Sequence, residues 1–264
     1  MKKFGLQLYT IRDRFQTEED IRSSFRTIAE YGYTEGQTAG AFINPESFAA
    51  AAKDAGVSIC GTHYSWDKIR YELDDTMRIH ELLGTTNVGI GGMPADARES
   101  VEGLKKFIDE ANDVAAKLAK QGFKFTYHNH SFEFKKFDGK TMMDYLIEGF
   151  DPNNVSFVLD TYWVQHGGYD VCKMIRRLAG RIDILHLKDM GACQSITVGE
   201  GRTINVPYIT EIGNGNINFE EIIPLAESIG VKSFVVEQDT NFIEGDCFRS
   251  IKVSADYIKA NLLK

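Results

Sequence analysis

Apolar positions in this chain alternate between two periods. Short β-prone runs recur at residues 4–10, 33–37, 57–63, 87–90, from Lys124 onward, and at 155–160, 182–189 and 233–239. Between them lie stretches whose apolar residues repeat every three or four positions, the spacing of a helix with one buried face. These predict helices over 20–31, 45–55, 76–83, 100–120, 142–148, 170–178, 219–228 and 247–262. The longest is the clearest, with Leu104, Phe107, Ile108, Ala111, Ala115 and Leu118 on one side. Glycine ends several of them, at Gly32, Gly56, Gly84, Gly122 and Gly230, as expected where a helix must turn out of its own path. Residues 190–215 carry little pattern and read as a long loop.

Strands joined through helices run parallel, because each crossover returns to the same end of the sheet. Eight such units predict an α/β fold, a closed (β/α)8 TIM barrel, which typically takes about 250 residues. With no Pro- or Gly-rich linker, residues 1–264 are expected to form one domain. No Gly-x-Gly-x-x-Gly follows the first strand and there is no P-loop, so a dinucleotide-binding sheet has no support.

The formal net charge of -8 and pI of about 5.3 argue against a nucleic-acid partner, which would want a basic face. No apolar run nears the roughly 20 residues that span a membrane, and the first residues hold no apolar signal core. Cys60, Cys172, Cys193 and Cys247 form no CxxC pair and match no zinc spacing. A cytoplasmic protein with reduced thiols, acting on a small molecule, is expected.

Candidate chemistry gathers where a barrel places it, at the C-terminal ends of the strands. The third strand ends on His63, and the fifth carries His128 and His130 with Glu133 beyond. The sixth ends on Asp160, the seventh on His186 and Lys188, the eighth on Glu237 and Asp239. Residues two apart share a face of a strand, so His128 and His130 would point together. Val158 and Asp160, Ile184 and His186, and Val235 and Glu237 would do the same. Imidazoles mixed with carboxylates suit a borderline divalent ion such as Mn²⁺, Co²⁺, Zn²⁺ or Fe²⁺.

Five segments carry a resemblance: Tyr127-His128-Asn129-His130 with Glu133-Phe134, Leu159-Asp160-Thr161-Tyr162-Trp163, Leu185-His186-Leu187-Lys188-Asp189, Glu211-Ile212-Gly213-Asn214-Gly215, and Val236-Glu237-Gln238-Asp239. Over essentially its whole length the chain resembles the xylose isomerase-like TIM-barrel family. These proteins are often labelled sugar phosphate isomerases/epimerases and include tagatose 3-epimerase, inosose dehydratase and isomerase, and endonuclease IV. The resemblance implies one divalent metal ion, often Mn²⁺, on Asp160, His186 and Glu237. The fourth ligand is commonly a glutamate near the end of the fifth strand, where this chain has His128; Glu133 is the alternative. In the epimerases that glutamate is also one of two acid–base carboxylates. Gln37 likewise stands where many relatives have a glutamate.

The expected function is isomerisation or epimerisation of a sugar or cyclitol through a metal-stabilised enediolate. His130, Glu133 and Glu237 are the candidate bases, His130 or Glu133 first if Glu237 is committed to the metal, with Lys188 on a substrate oxygen or in an ion pair with Asp189 or another mouth carboxylate. His63, Trp163 and Glu211 are candidate substrate contacts. Trp163 could instead pack under a loop, and the glycines after Glu211 could simply shape a turn. His80 and His166 read as structural. The rival readings are a lyase or dehydratase of a keto-sugar or keto-cyclitol, an endonuclease IV-like enzyme, and a barrel that only binds sugar. The family suggests a homo-oligomer. No phosphate-binding motif is readable.

Overall fold

The structure is a computed structural model that describes residues 1–40 and 44–263. Eight parallel strands, β1 (Gly5–Gln7), β2 (Glu35–Ala39), β3 (Ser58–His63), β4 (Asn87–Ile90), β5 (Lys124–His128), β6 (Val155–Asp160), β7 (Ile182–Leu187) and β8 (Ser233–Val236), form one sheet. Its order is β3-β2-β1-β8-β7-β6-β5-β4. The sheet curls until β3 and β4 meet, where Tyr64 N donates to Gly89 O at 2.7 Å and Gly89 N to Thr62 Oγ1 at 3.4 Å. The result is a nearly closed TIM barrel.

Helices cover the outside, and their starts are written locally. The Thr17 hydroxyl accepts from Asp20 N at 3.1 Å, and the Ser100 hydroxyl from Gly103 N at 3.0 Å. Thr141 and Asp144 satisfy each other's amides in a capping box. Such caps occupy donors that a helix start leaves unpaired.

Two apolar layers result. The large one lies between the outer strand faces and the helices and includes Phe25, Phe107, Phe125, Tyr127 and Phe157. The small one fills the barrel axis with Val158, Ile184 and Val235, joined by Cys60. The two-residue alternation then places Asp160, His186 and Glu237 one step above this plug, at the mouth.

Besides β7 and β8 ending at Leu187 and Val236, short of the expected 189 and 239, the structure departs from the sequence expectations in three places. The first strand is shorter, because the Gln7 side chain accepts from Tyr9 N at 3.2 Å and the chain turns into a 3-10 helix, Leu8–Arg14. Residues expected as a long loop form an antiparallel hairpin, Asp189–Val198 with Arg202–Thr210, whose register shifts between Gly191 and Gln194. That irregularity breaks the alternation a sequence reading relies on. Two short helices, Trp66–Tyr71 and Thr161–His166, follow β3 and β6. Each is too brief to show a helical period. Among the described residues, no helix is long and apolar enough to cross a membrane.

Candidate metal centre

His128, Asp160, His186 and Glu237 come together at the mouth, each buried, with one potential ligand atom apiece all within 4.8 Å of one another. His186 Nδ1 lies 2.9 Å from Glu237 Oε2 and 3.5 Å from Asp160 Oδ2. His128 Nε2 lies 3.5 Å from Asp160 Oδ2 and 3.8 Å from Glu237 Oε2. Asp160 divides its oxygens. Oδ1 accepts from Trp163 N at 2.9 Å and starts the helix Thr161–His166, while Oδ2 has no hydrogen-bond partner. His128 Nε2 is also buried without one. Two facing, unpartnered donor atoms are what a metal ion would satisfy, since buried polar atoms are otherwise paired.

Charge agrees with geometry. Lys188 Nζ sits 2.6 Å from Asp239, 3.1 Å from Glu237 and 3.7 Å from Asp160. Three carboxylates against one ammonium leave a formal excess of two negative charges, which one divalent ion neutralises. Burial alone would depress the His186 pKa, but Glu237 and Asp160 outweigh it and raise it to about 9. The same pair favours a cation at this point, whether proton or metal. The donor set therefore fits a divalent ion.

A chain of amides orients the histidines. The Gln7 carbonyl faces the Tyr9 N–H, which can only donate. Gln7 Nε2 is therefore the end that points inward, donating to Gln37 Oε1 at 2.9 Å and lying 3.3 Å from His63 Nδ1. Gln37 Oε1 is in turn bonded to His186 Nε2. An amide oxygen accepts, so His186 Nε2 carries hydrogen toward Gln37, and Nδ1 is the nitrogen turned to the carboxylates, donating its proton to Glu237 and free to exchange that proton for a metal ion. By the same reasoning His63 Nδ1 accepts, and its buried Nε2–H has no partner.

A cavity of about 630 Å³ opens over the centre, bordered by His63, His128, His130, Lys188, Glu237 and Asp239 among others. His130 lies beyond the end of β5 rather than within it. It still reaches the cavity, its ring stacked on Phe132 with centroids 5.4 Å apart and its buried Nδ1 unpartnered. Glu133 does not join the centre. Its oxygens accept from Tyr127 Oη at 2.7 Å and His130 N at 2.8 Å, and burial raises its pKa to about 7. Trp163 stands behind His130, with the Lys188 ammonium 5.0 Å from its ring. Glu211 is buried away from the cavity, receiving Gln238 Nε2 at 3.0 Å and Asn214 Nδ2 at 3.2 Å.

Lys188 pairs with the mouth carboxylates and not with Asp189. Asp189 instead accepts four backbone amides, from Met190, Gly213, Gly215 and Ile217. A Cβ on Gly215 would lie 2.3 Å from Asp189 Oδ1, which explains the glycine there. His80 is wholly buried between Thr62 and Thr76, and His166 stacks on Tyr162. The sequence reading assigned no part to Gln7 or Asn129, and it placed Asp239 at the mouth without giving it a role. Asn129 holds the Asp160 amide at 2.9 Å. Asp239 shares its face of the chain with Glu237, and that parity was the available signal.

Comparison with known proteins agrees with the fold. The family described as a xylose isomerase-like TIM barrel matches residues 25–244. The inosose dehydratase of Geobacillus kaustophilus is 25% identical over 196 residues, 72% of this chain and 52% of its own length. The chain thus spans about half the length of that curated relative. A sugar phosphate isomerase/epimerase from Parabacteroides distasonis superposes with a TM-score of 0.80 over 100% of both chains at 24% identity. A xylose isomerase-like TIM barrel protein from Mycobacterium smegmatis, solved in complex with magnesium, superposes with a TM-score of 0.69 over 98% of this chain and 95% of its own at 14% identity.

Proposed function

Since the chain belongs to the xylose isomerase-like TIM barrel family, we propose that it is a divalent-metal-dependent isomerase or epimerase of a small sugar or cyclitol. The observation that carries this is the pair of unpartnered, buried ligand atoms, His128 Nε2 and Asp160 Oδ2, in a four-residue His/Asp/His/Glu cluster at the floor of a cavity. His128, Asp160, His186 and Glu237 would hold the ion, Mn²⁺ being the expected one. When bound, it supplies a Lewis acid for a carbonyl and the adjacent hydroxyl.

The remaining steps belong to side chains. His130, which borders the cavity, takes a proton from the carbon beside the carbonyl. The electron pair moves onto the carbonyl oxygen, where the Lys188 ammonium offsets the developing charge. The His63 Nε2–H donates to a substrate hydroxyl. Glu133 positions His130 by accepting its backbone amide, and Trp163 supports both His130 and Lys188 from behind. Returning the proton to the same carbon from the other face epimerises; returning it to the neighbouring carbon isomerises.

Dehydration is the second reading. Identity to an inosose dehydratase favours it, and so does His128 at a position where a glutamate would complete a symmetric acid–base pair. The same proton loss then expels a β-hydroxyl.

The test has three measurements. Elemental analysis of the purified protein beside His186→Ala should find near-stoichiometric metal that the variant loses. A panel of ketoses and keto-cyclitols, including D-fructose, D-tagatose and 2-keto-myo-inositol, should show deuterium uptake from D₂O at the carbon next to the carbonyl. Product mass then separates the readings: unchanged for an isomer, lower by one water for a dehydratase. A protein that binds neither Mn²⁺ nor Co²⁺ after incubation would refute the proposal.

A further inference from the structure

Resting on that reading, we propose that Tyr9 is a substrate-selecting wall of the cavity, and that with His130 opposite it forms a slot for a carbocyclic ketone in preference to an open-chain ketose. Tyr9 is 43% exposed and borders the cavity. Its place is set locally. The Gln7 side chain turns the chain out of β1 into the 3-10 helix Leu8–Arg14, which buries Leu8 and Ile11 and leaves Tyr9 away from the core. Three residues make one turn of such a helix, so Arg12 falls beside Tyr9. The Arg12 guanidinium lies 4.3 Å from the centre of the Tyr9 ring. It is itself held, Nη1 donating to Tyr9 O at 2.9 Å and Nη2 to Asp239 O at 3.3 Å. Arg12 does not border the cavity. It therefore backs the ring and leaves the cavity side as flat apolar surface.

The opposite wall is built in the same way. In the sheet order β5 stands four steps from β1, the far side of an eight-stranded barrel. His130, just past β5, borders the cavity, and its ring is stacked on Phe132 with 14° between the planes. Behind these, the Arg98 guanidinium lies 3.9 Å from the centre of the Phe132 ring and is held by Met93 O, which accepts from Arg98 Nε at 3.1 Å. Neither Phe132 nor Arg98 borders the cavity. Each wall is thus a flat ring stiffened from behind, with a guanidinium at its back in a cation–π contact. The flat wall that the sequence suggested at Trp163 is supplied by Tyr9 instead.

Two flat walls suit a substrate with two flat apolar faces. A six-membered carbocycle with equatorial hydroxyls turns axial C–H bonds to both faces and its hydroxyls outward along the edge. The faces then meet the walls, where the slightly positive C–H groups complement the negative face of an aromatic ring. The edge is left for the metal cluster at the floor. An open-chain ketose has no fixed face and loses rotational freedom on entering a slot. A pyranose has the faces, but closing its ring consumes the carbonyl that the proposed chemistry acts on. A keto-cyclitol keeps both ring and carbonyl.

The test compares two polyols with the same number of carbons and hydroxyls, myo-inositol, which is a ring, and D-glucitol, which is open. Neither has a carbonyl, so binding is read without turnover. Isothermal titration of the full chain loaded with Mn²⁺ should give myo-inositol a Kd about tenfold or more below that of D-glucitol. Tyr9→Ala should weaken myo-inositol about tenfold or more, as loss of one stacking ring does, with D-glucitol and Mn²⁺ affinity within about threefold. Tyr9→Phe keeps the ring and should stay within about threefold for all three. In deuterium exchange with 2-keto-myo-inositol, Tyr9→Ala should raise KM and leave kcat within about threefold. A merely structural role would move Mn²⁺ and both polyols together. Equal Kd values for the two polyols, no binding of myo-inositol, equal losses in Tyr9→Ala, or a loss confined to kcat overturns the slot. If that protein still exchanges deuterium into an open-chain ketose, the proposed function stands without it. A protein that takes up no Mn²⁺ fails the proposed function, and the slot falls with it.

Discussion

The seam between β3 and β4 is joined by a buried histidine, and acid should weaken it. His80, on the helix Leu73–Leu83, is bonded through Nδ1 to the Thr76 carbonyl at 2.6 Å and through Nε2 to the Thr62 hydroxyl at 2.8 Å. A carbonyl only accepts, so Nδ1 carries the hydrogen and Nε2 must accept from Thr62. The Thr62 oxygen then accepts the Gly89 amide across the seam. Protonating Nε2 would remove its lone pair and bury a charge. Burial accordingly lowers the His80 pKa from 6.5 to about 4, against a smaller opposing effect of the Thr76 carbonyl. The folded state thus binds fewer protons than the unfolded state between pH 6.5 and about 4. Stability is complete above pH 6.5 and falls as the pH drops through that window, levelling off below it. The displacement from 6.5 to about 4, at about 1.4 kcal/mol per pH unit, amounts to about 3.5 kcal/mol in full and about 3 kcal/mol down to pH 4, where half of the folded molecules are protonated. The assay is urea unfolding of the metal-free protein from pH 7.5 to 4, beside His80→Gln, so that carboxylates common to both cancel. The wild type's advantage over the variant should shrink by about 3 kcal/mol on acidification. An advantage constant to within about 1 kcal/mol, or one that grows, refutes the reasoning.

Two further outcomes follow from named contacts. Gln37→Leu removes the oxygen that holds His186 Nε2 and should weaken Mn²⁺ binding about 10- to 100-fold, as loss of an outer-shell partner does. Gln37→Glu keeps an acceptor and should retain most of the affinity; isothermal titration of both variants decides, and equal affinities would remove Gln37 from the orienting chain. Gly89→Ala would place a Cβ 2.3 Å from the Thr62 carbonyl and 2.6 Å from Thr126 Oγ1, forcing the seam apart. It should cost about 3 kcal/mol, the upper part of the overpacking range, and a denaturant midpoint close to wild type would show that the seam yields instead.

The barrel was legible because its units repeat two simple periods and end on glycine. What escaped was whatever lacked a full period. A six-residue helix such as Thr161–His166 turns fewer than two times, and its start is set by Asp160, which the sequence marks as a ligand. The hairpin after β7 hides for a different reason. Ile196 pairs with Ile204 and Ser195 with Asn205, an alternation that exists only once the strands are aligned and that the shift near Gly191 interrupts. Even the first strand was overestimated through a side chain, since Gln7 folds back on the Tyr9 amide.

The site divides along the same line. Parity along a strand is a one-dimensional property, so the inward positions of Asp160, His186 and Glu237 could be read directly, one step above Val158, Ile184 and Val235. Whether an inward carboxylate is free is a three-dimensional property. Glu133 and Asp239 look equally available in sequence. Yet Glu133 is enclosed by Tyr127 and its own loop, whereas Asp239 borders the cavity and pairs with Lys188. The difference arises because the chain leaves β5 through a tight turn, Phe132–Phe134, which swings Glu133 to the outer face where Tyr127 lies. After β8 the chain stays extended, because Gln238 is tied down on the outside. Release of that tie therefore bears on the mouth itself: without Gln238, the segment holding Asp239 would lose the contacts that keep its carboxylate facing the cavity.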